Sequence, residues 1–160
     1  ALAYENQTLQ KNIEQYSSTL NAQSEELKRL NELTEENQRL HDRERILSKQ
    51  LVKNTKVLNE LVIAPKYVDV TQWRNIEEAI NSIFDNFTKR LSTKLPTVTE
   101  YEIHLCCLIK LNMNNTNMAT ALGISPASVS KQKYRLKEHI AQQNETLGRN
   151  QALDLWIWDF

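Results

Sequence analysis

Residues 4 to about 62 contain no glycine and no proline, and this feature most limits the folds open to the chain. Leucine and isoleucine recur there every three or four residues, between positions rich in Glu, Gln, Asn and Lys. A helix with such a repeat and a polar outside buries its apolar seam against another helix. The run therefore predicts a coiled coil of about eight heptads.

Two heptad frames fit this run, and they meet at Leu30. The spacing from Leu27 to Leu30 to Leu33 is one residue short of a regular heptad, a stammer that overwinds the coil locally. The dimerisation residues predicted from the two frames are Leu20, Leu27, Leu30, Leu33, Asn37, Leu40, Leu47, Leu51 and Leu58.

Asn37 falls at an a position, where a buried Asn fixes register and favours a parallel dimer. We therefore expect a homodimer through a parallel coiled coil. Two alternatives stay open: an antiparallel coil, and a helix that folds back on a partner within the same chain. No second heptad helix of matching length is present for the latter.

The remaining sequence divides at its prolines. Pro65 ends the coil, because proline cannot continue a helix and restricts the residue before it. A second helix is expected to begin with Thr71 as its N-cap and to end between Thr93 and Pro96. Its apolar stripe is Trp73, Ile76, Ile80, Ile83, Phe84, Phe87 and Leu91. The predicted segments are a coiled coil over 1–64, a support helix over 65–97 and a third region over 98–160.

Composition narrows the class of protein further. Two Gly and three Pro in 160 residues predict an all-α chain. No apolar stretch reaches ~18 residues, so no membrane contact is expected within this chain. Cys106 and Cys107 lie in an apolar run and predict buried, reduced thiols in a cytoplasmic protein. The chain begins with Ala rather than Met, so an upstream sensor or membrane anchor is an alternative left open.

The sequence contains no recognisable catalytic or metal-binding motif. The three histidines are scattered, and no His/Cys spacing suits zinc. We see no phosphate loop, nucleophile elbow or paired-carboxylate site. The sequence therefore predicts a protein that is not an enzyme and needs no cofactor or metal.

The third region carries a helix-turn-helix pattern. Thr99 and Glu102 have the spacing of a capping box, which opens one helix. Asn114 or Asn115 is placed to cap the next. Ala119, Gly123 and Val129 then supply a small residue, a turn residue and an apolar anchor at the spacing that two closely crossing helices require.

The helix after the turn has two distinct faces. Ser125 is its predicted N-cap and Pro126 its first residue. Val129, Leu136 and Ile140 define a buried face. Between Ser125 and Ile140 four basic residues stand against one acid, in a chain whose net charge is zero. The outward face of this helix carries small residues near its N-terminus and basic residues further along. This arrangement suits a helix that enters the major groove of DNA.

Residues 98–140 resemble the LuxR/GerE-type helix-turn-helix family, in the form that follows a coiled coil in Bacteroidetes-type regulators. The opening Val98-Thr99 with Glu102, the Met118-Ala119 pair and the later Ser128-Val129, Leu136 and Ile140 match the family pattern without a gap. The turn Leu122-Gly123-Ile124-Ser125 matches it letter for letter. The chain departs from the pattern where Asn112 or Met113 replaces a loop glycine, and where Thr116-Asn117 replaces Lys-Glu.

Together these features predict a bacterial, DNA-binding transcriptional regulator. Its partner is double-stranded DNA, with Lys133, Lys137 and Thr116 on phosphates. Ser128, Lys131, Tyr134 and Arg135 are expected at base edges, with Ala127 and Ser130 on the same outward face. Two alternatives remain: a module like region 4 of sigma factors, and a coiled-coil scaffold whose helical end binds protein.

The sequence ends in an aromatic segment. Trp156, Trp158 and Phe160 lie within the last eight residues. Such apolar area at a terminus is expected to dock, either against the helix of Trp73 and Phe84 or against the dimer partner.

Overall fold

A computed structural model describes residues 1–160, and every regular element in it is a helix. The all-α prediction is therefore confirmed. The eight helices are α1 Leu2–Asn54, α2 Lys56–Ile63, α3 Val70–Ile83, α4 Phe87–Lys94, α5 Glu100–Lys110, α6 Asn115–Leu122, α7 Pro126–Gln143 and α8 Leu153–Asp159. None of them is both long and apolar enough to cross a bilayer.

The chain divides into two compact units, residues 1–47 and 48–160. The first unit is a single stretch of α1, and no residue of that helix is buried. The predicted seam residues from Leu20 to Leu51 are accordingly exposed to solvent in the single chain. An exposed leucine stripe of this length is typical of a helix that packs against a second helix.

The long helix ends earlier than the heptad pattern predicts. Thr55 has an extended backbone between α1 and α2, and its hydroxyl donates to the carbonyl of Leu51 at 2.7 Å. The backbone N–H of Thr55 donates to the carbonyl of Val52 at 3.2 Å rather than to that of Leu51, so the regular α-helical bonding pattern ends here. Beyond the break, Leu58 and Leu61 lie in the core of the second unit.

Leu58 must therefore be removed from the dimerisation set. Its side chain is 0% exposed within its own chain, so it is not available to a partner helix. Leu58 fits the heptad spacing, but its side chain packs in the core of its own chain. Spacing alone does not distinguish a leucine that faces a second chain from one that faces the core of its own chain.

The predicted support helix is two helices. Asp85 and Asn86 adopt positive φ angles of 49° and 54° between α3 and α4, which interrupts the helix where a continuous stripe was expected. The N-cap also differs from the prediction. Asp69, rather than Thr71, forms a capping box with Gln72, through bonds of 2.8 and 3.0 Å.

Helix α5 supplies the centre of the second unit. Its predicted capping box between Thr99 and Glu102 is present. Cys106 and Cys107 are buried and unbridged, which confirms the prediction for the thiols. Burial raises the pKa of both thiols, so both are neutral and unreactive.

The aromatic C-terminal segment docks on its own chain, and mainly on α5. The indole of Trp158 donates to the carbonyl of Ile109 at 2.7 Å, and Phe160 meets Phe87 edge-on. Lys110 donates to the carbonyl of Trp158 at 2.8 Å. Phe87 belongs to the stripe of the predicted support helix, so the expected docking is formed in part. The ring of Trp73 stacks on His104 at 4.0 Å.

Candidate nucleic-acid interface

The turn between α6 and α7 has the geometry that the sequence predicts. Asn114 caps α6 by accepting from the backbone N–H of Asn117 at 2.8 Å. The helix stops at Gly123, whose φ of 69° is left-handed and suits glycine. Ser125 then caps α7 through the N–H of Ser128 at 3.1 Å, with Pro126 as its first residue.

The loop before α6 makes a similar demand on the backbone. Asn112 has a φ of 59°, in the left-handed region that favours glycine. Asparagine tolerates this region better than most residues. Asn112 therefore allows this loop conformation without a glycine.

A contact that the sequence did not predict covers the turn. The backbone N–H of Val68 donates to the carbonyl of Ala121 at 3.0 Å. A Cβ added at Gly123 would lie 2.9 Å from Cδ2 of Tyr67. The segment between α2 and α3 therefore lies against the turn. The φ of Gly123 favours glycine, and a Cβ at this position would also require the exposed Tyr67 ring to shift.

Helix α7 is anchored by the face that the sequence assigned to the core. Val129, Leu136 and Ile140 are fully buried. Ala119 is buried in α6, where a small residue permits close packing of the two helices. The amide of Asn115 also donates to the hydroxyl of Ser130 at 3.2 Å. These contacts fix the rotation of α7 and so decide which of its side chains face solvent.

The opposite face of α7 is open to solvent. Its exposed members are Ala127, Ser130, Lys131, Tyr134, Arg135 and the acidic Glu138, and Ser128 is half-buried beside the cap. Thr116, in the first turn of α6, is exposed as well.

Tyr134 extends far into solvent, with 65% of the residue exposed. A hydrogen bond to Glu138 raises the pKa of its phenol, and the charge of the same carboxylate acts in the same direction. The phenol is therefore neutral at physiological pH and can donate a hydrogen bond. Its partner Glu138 is the single acid of the helix.

Two of the lysines that are predicted to contact phosphates already have partners within the chain. The side chain of Lys133 is only 18% exposed, and its ammonium lies 3.4 Å from a carboxylate oxygen of Asp154. Lys137 donates to the backbone carbonyl of Arg149 at 3.2 Å. The sequence analysis considered the side chains of α7 alone. In the structure, Arg149 and Asp154 of the following segment contact one flank of α7. Lys133 is corrected accordingly: it is a paired lysine, not a free one.

A polar network that the sequence analysis missed joins α7 to α5. His139 lies 2.8 Å from the carboxylate of Glu102 through Nδ1, and 2.8 Å from the hydroxyl of Thr97 through Nε2. The same carboxylate accepts from the N–H of Thr99 at 2.9 Å. The network thus extends the capping box of α5 and holds the second half of α7 in place. A lone His three residues after a buried Leu136 was the only signal for it.

The described side chains contain no group of three or more His, Cys, Asp or Glu residues that could hold a metal ion. Comparison of the chain with models of protein families, with curated proteins and with solved structures gave no match.

Proposed function

We propose that this protein is a sequence-specific, DNA-binding transcriptional regulator that acts as a coiled-coil dimer. One observation carries the proposal: α7 is held by a buried face while its opposite face is open, small at the start and basic later. Side chains of this kind allow a helix to approach base edges and to meet phosphates. The resemblance of residues 98–140 to LuxR/GerE-type regulators supports the same function.

Within this proposal the residues take different roles. Ser128, Lys131, Tyr134 and Arg135 contact base edges, with Ala127 leaving room for close approach. Thr116 and Lys137 contact phosphates, and Lys133 does so only after release from Asp154.

The dimer is part of the proposal because the seam of α1 is exposed. Leu27, Leu40 and the other seam residues would be buried by a second copy of the same helix. Asn37 at an a position favours the parallel orientation. Sedimentation equilibrium of the full chain is expected to give a dimer, and Leu27→Glu/Leu40→Glu is expected to give a monomer. A wild-type monomer at all concentrations would contradict this part of the proposal.

Duplex binding is tested by fluorescence anisotropy with a labelled random duplex over a series of salt concentrations. The variant Lys131→Gln/Arg135→Gln is expected to bind more weakly and with a smaller salt slope, because it removes two cations from the surface that faces the duplex. The control is Arg74→Gln/Lys89→Gln, which removes the same charge from two exposed residues of α3 and α4. Equal binding by both variants would contradict the assignment of α7 as the DNA-binding helix.

A second function from another class deserves a test, because the leucine seam of α1 could equally serve a scaffold. A scaffold whose helical end binds protein has no need of DNA. It would pass through heparin and duplex columns without retention, whereas the regulator is retained and elutes with salt.

The proposed function also implies a compartment. A bacterial regulator of this type acts in the cytoplasm, where the two buried thiols would stay reduced.

A further inference from the structure

The loop between α7 and α8, residues 144–152, is held in a fixed position. The side chain of Asn144 accepts from the backbone N–H of Thr146 at 3.0 Å. The hydroxyl of Thr146 in turn accepts from the indole of Trp156 at 2.9 Å, and Leu147 is buried. The first half of the loop is therefore tied to α8 and to the core, and Arg149 lies two residues beyond Leu147.

The middle of this loop adds a cation beside α7. Lys137 donates to the carbonyl of Arg149 at 3.2 Å, while the side chain of Arg149 is exposed. A neutral carbonyl leaves the charge of Lys137 uncompensated, unlike the carboxylate that holds Lys133. Neither Lys137 nor Arg149 forms an ion pair, so two cations belong to residues that are in contact. The one acid within the loop is Glu145.

The position of this pair along α7 is informative. Ser130 and Lys137 are seven residues apart, so they share one flank of the helix at a separation of about 10 Å. Ser130 is bonded to Asn115, the first residue of α6. The flank therefore runs from the start of α6 at one end to Arg149 at the other.

We propose that the loop 144–152 is a second phosphate-binding element, in which Arg149 contacts the DNA backbone beside Lys137. The inference rests on the proposed function and extends it, because it adds to the DNA-binding surface an element outside the helix-turn-helix. The guanidinium offers several donors in a planar array that suits a phosphate. Such a contact positions the protein on the duplex and carries no sequence preference.

The expected effect follows from counterion release. Each phosphate contact steepens the plot of log affinity against log salt concentration by about 0.9. If a variant that lacks the contact equals wild type at 1 M salt, its affinity at 0.1 M salt is therefore about eightfold lower than that of wild type. Arg149→Gln is expected to show both changes on a random duplex. Arg149→Lys keeps the charge and is expected to retain the slope. Arg74→Gln, an equal charge change on exposed α3, is expected to match wild type.

The fold is not at risk in this experiment, because Arg149 contacts α7 through its backbone and not through its side chain. An unchanged slope for Arg149→Gln, or the same loss for Arg74→Gln, overturns the inference and leaves DNA binding by α7 intact. Failure of the wild-type chain to bind any duplex at low salt overturns the inference and the proposed function together.

Discussion

Leu58→Ala tests where the long helix stops being a coil and becomes part of the second unit. The leucine side chain is 0% exposed, so the substitution removes three buried carbon atoms and leaves a cavity. The transfer term alone is about 2.4 kcal/mol at ~0.8 kcal/mol for each carbon. With the cavity term, we expect a loss of about 3 kcal/mol in the free energy of unfolding.

All three tryptophans, Trp73, Trp156 and Trp158, lie in the second unit, so their fluorescence during urea unfolding follows that unit alone. The loss should not depend on protein concentration. Leu40→Ala is the matched control, because Leu40 lies in the first unit and is 58% exposed. It should leave the tryptophan transition unchanged. Suppose that Leu58→Ala lowers the free energy of unfolding by less than about 1 kcal/mol and also weakens self-association. Leu58 would then lie in the dimer interface, and the break at Thr55 would be refuted.

Two further substitutions test the interface. Asp154→Asn removes the carboxylate that holds Lys133, so duplex affinity and its salt slope should rise, the slope by about 0.9. Asp159→Asn adds the same charge at an exposed residue of α8 and should change neither. An equal gain from both would assign the effect to net charge. Gly123→Ala should cost about 1–2 kcal/mol, because it forces an L-residue into a left-handed φ and its methyl group would meet Tyr67. Thermal unfolding measures this cost, and an unchanged midpoint would contradict it.

The sequence predicted the helix-turn-helix well because its determinants are local. The left-handed turn at Gly123, the cap at Ser125 and the capping box at Thr99 each depend on residues within a few positions of one another. The buried face of α7 follows from helical periodicity in the same way. Such features are read from neighbours in sequence, and the structure confirms them.

The individual long-range residue pairs were not predicted. The pairing of Lys133 with Asp154 and the bond from Trp158 to Ile109 join segments that no short pattern relates. The end of α1 was not predicted for the same reason, because the burial of Leu58 depends on helices that follow it in the chain. The break between α3 and α4 did carry a local signal: asparagine tolerates a left-handed backbone and often ends a helix, so Asn86 could have marked it.

Selection of binding sites from a random duplex library by the full chain tests the central claim most directly. A regulator that reads DNA as a parallel coiled-coil dimer should enrich a two-fold symmetric motif, with half-sites centred about 10 base pairs apart or at a multiple of that spacing. Recovery of a library with no enriched motif at low salt would contradict sequence-specific DNA binding. An enriched single half-site without symmetry would retain DNA binding and contradict the dimer.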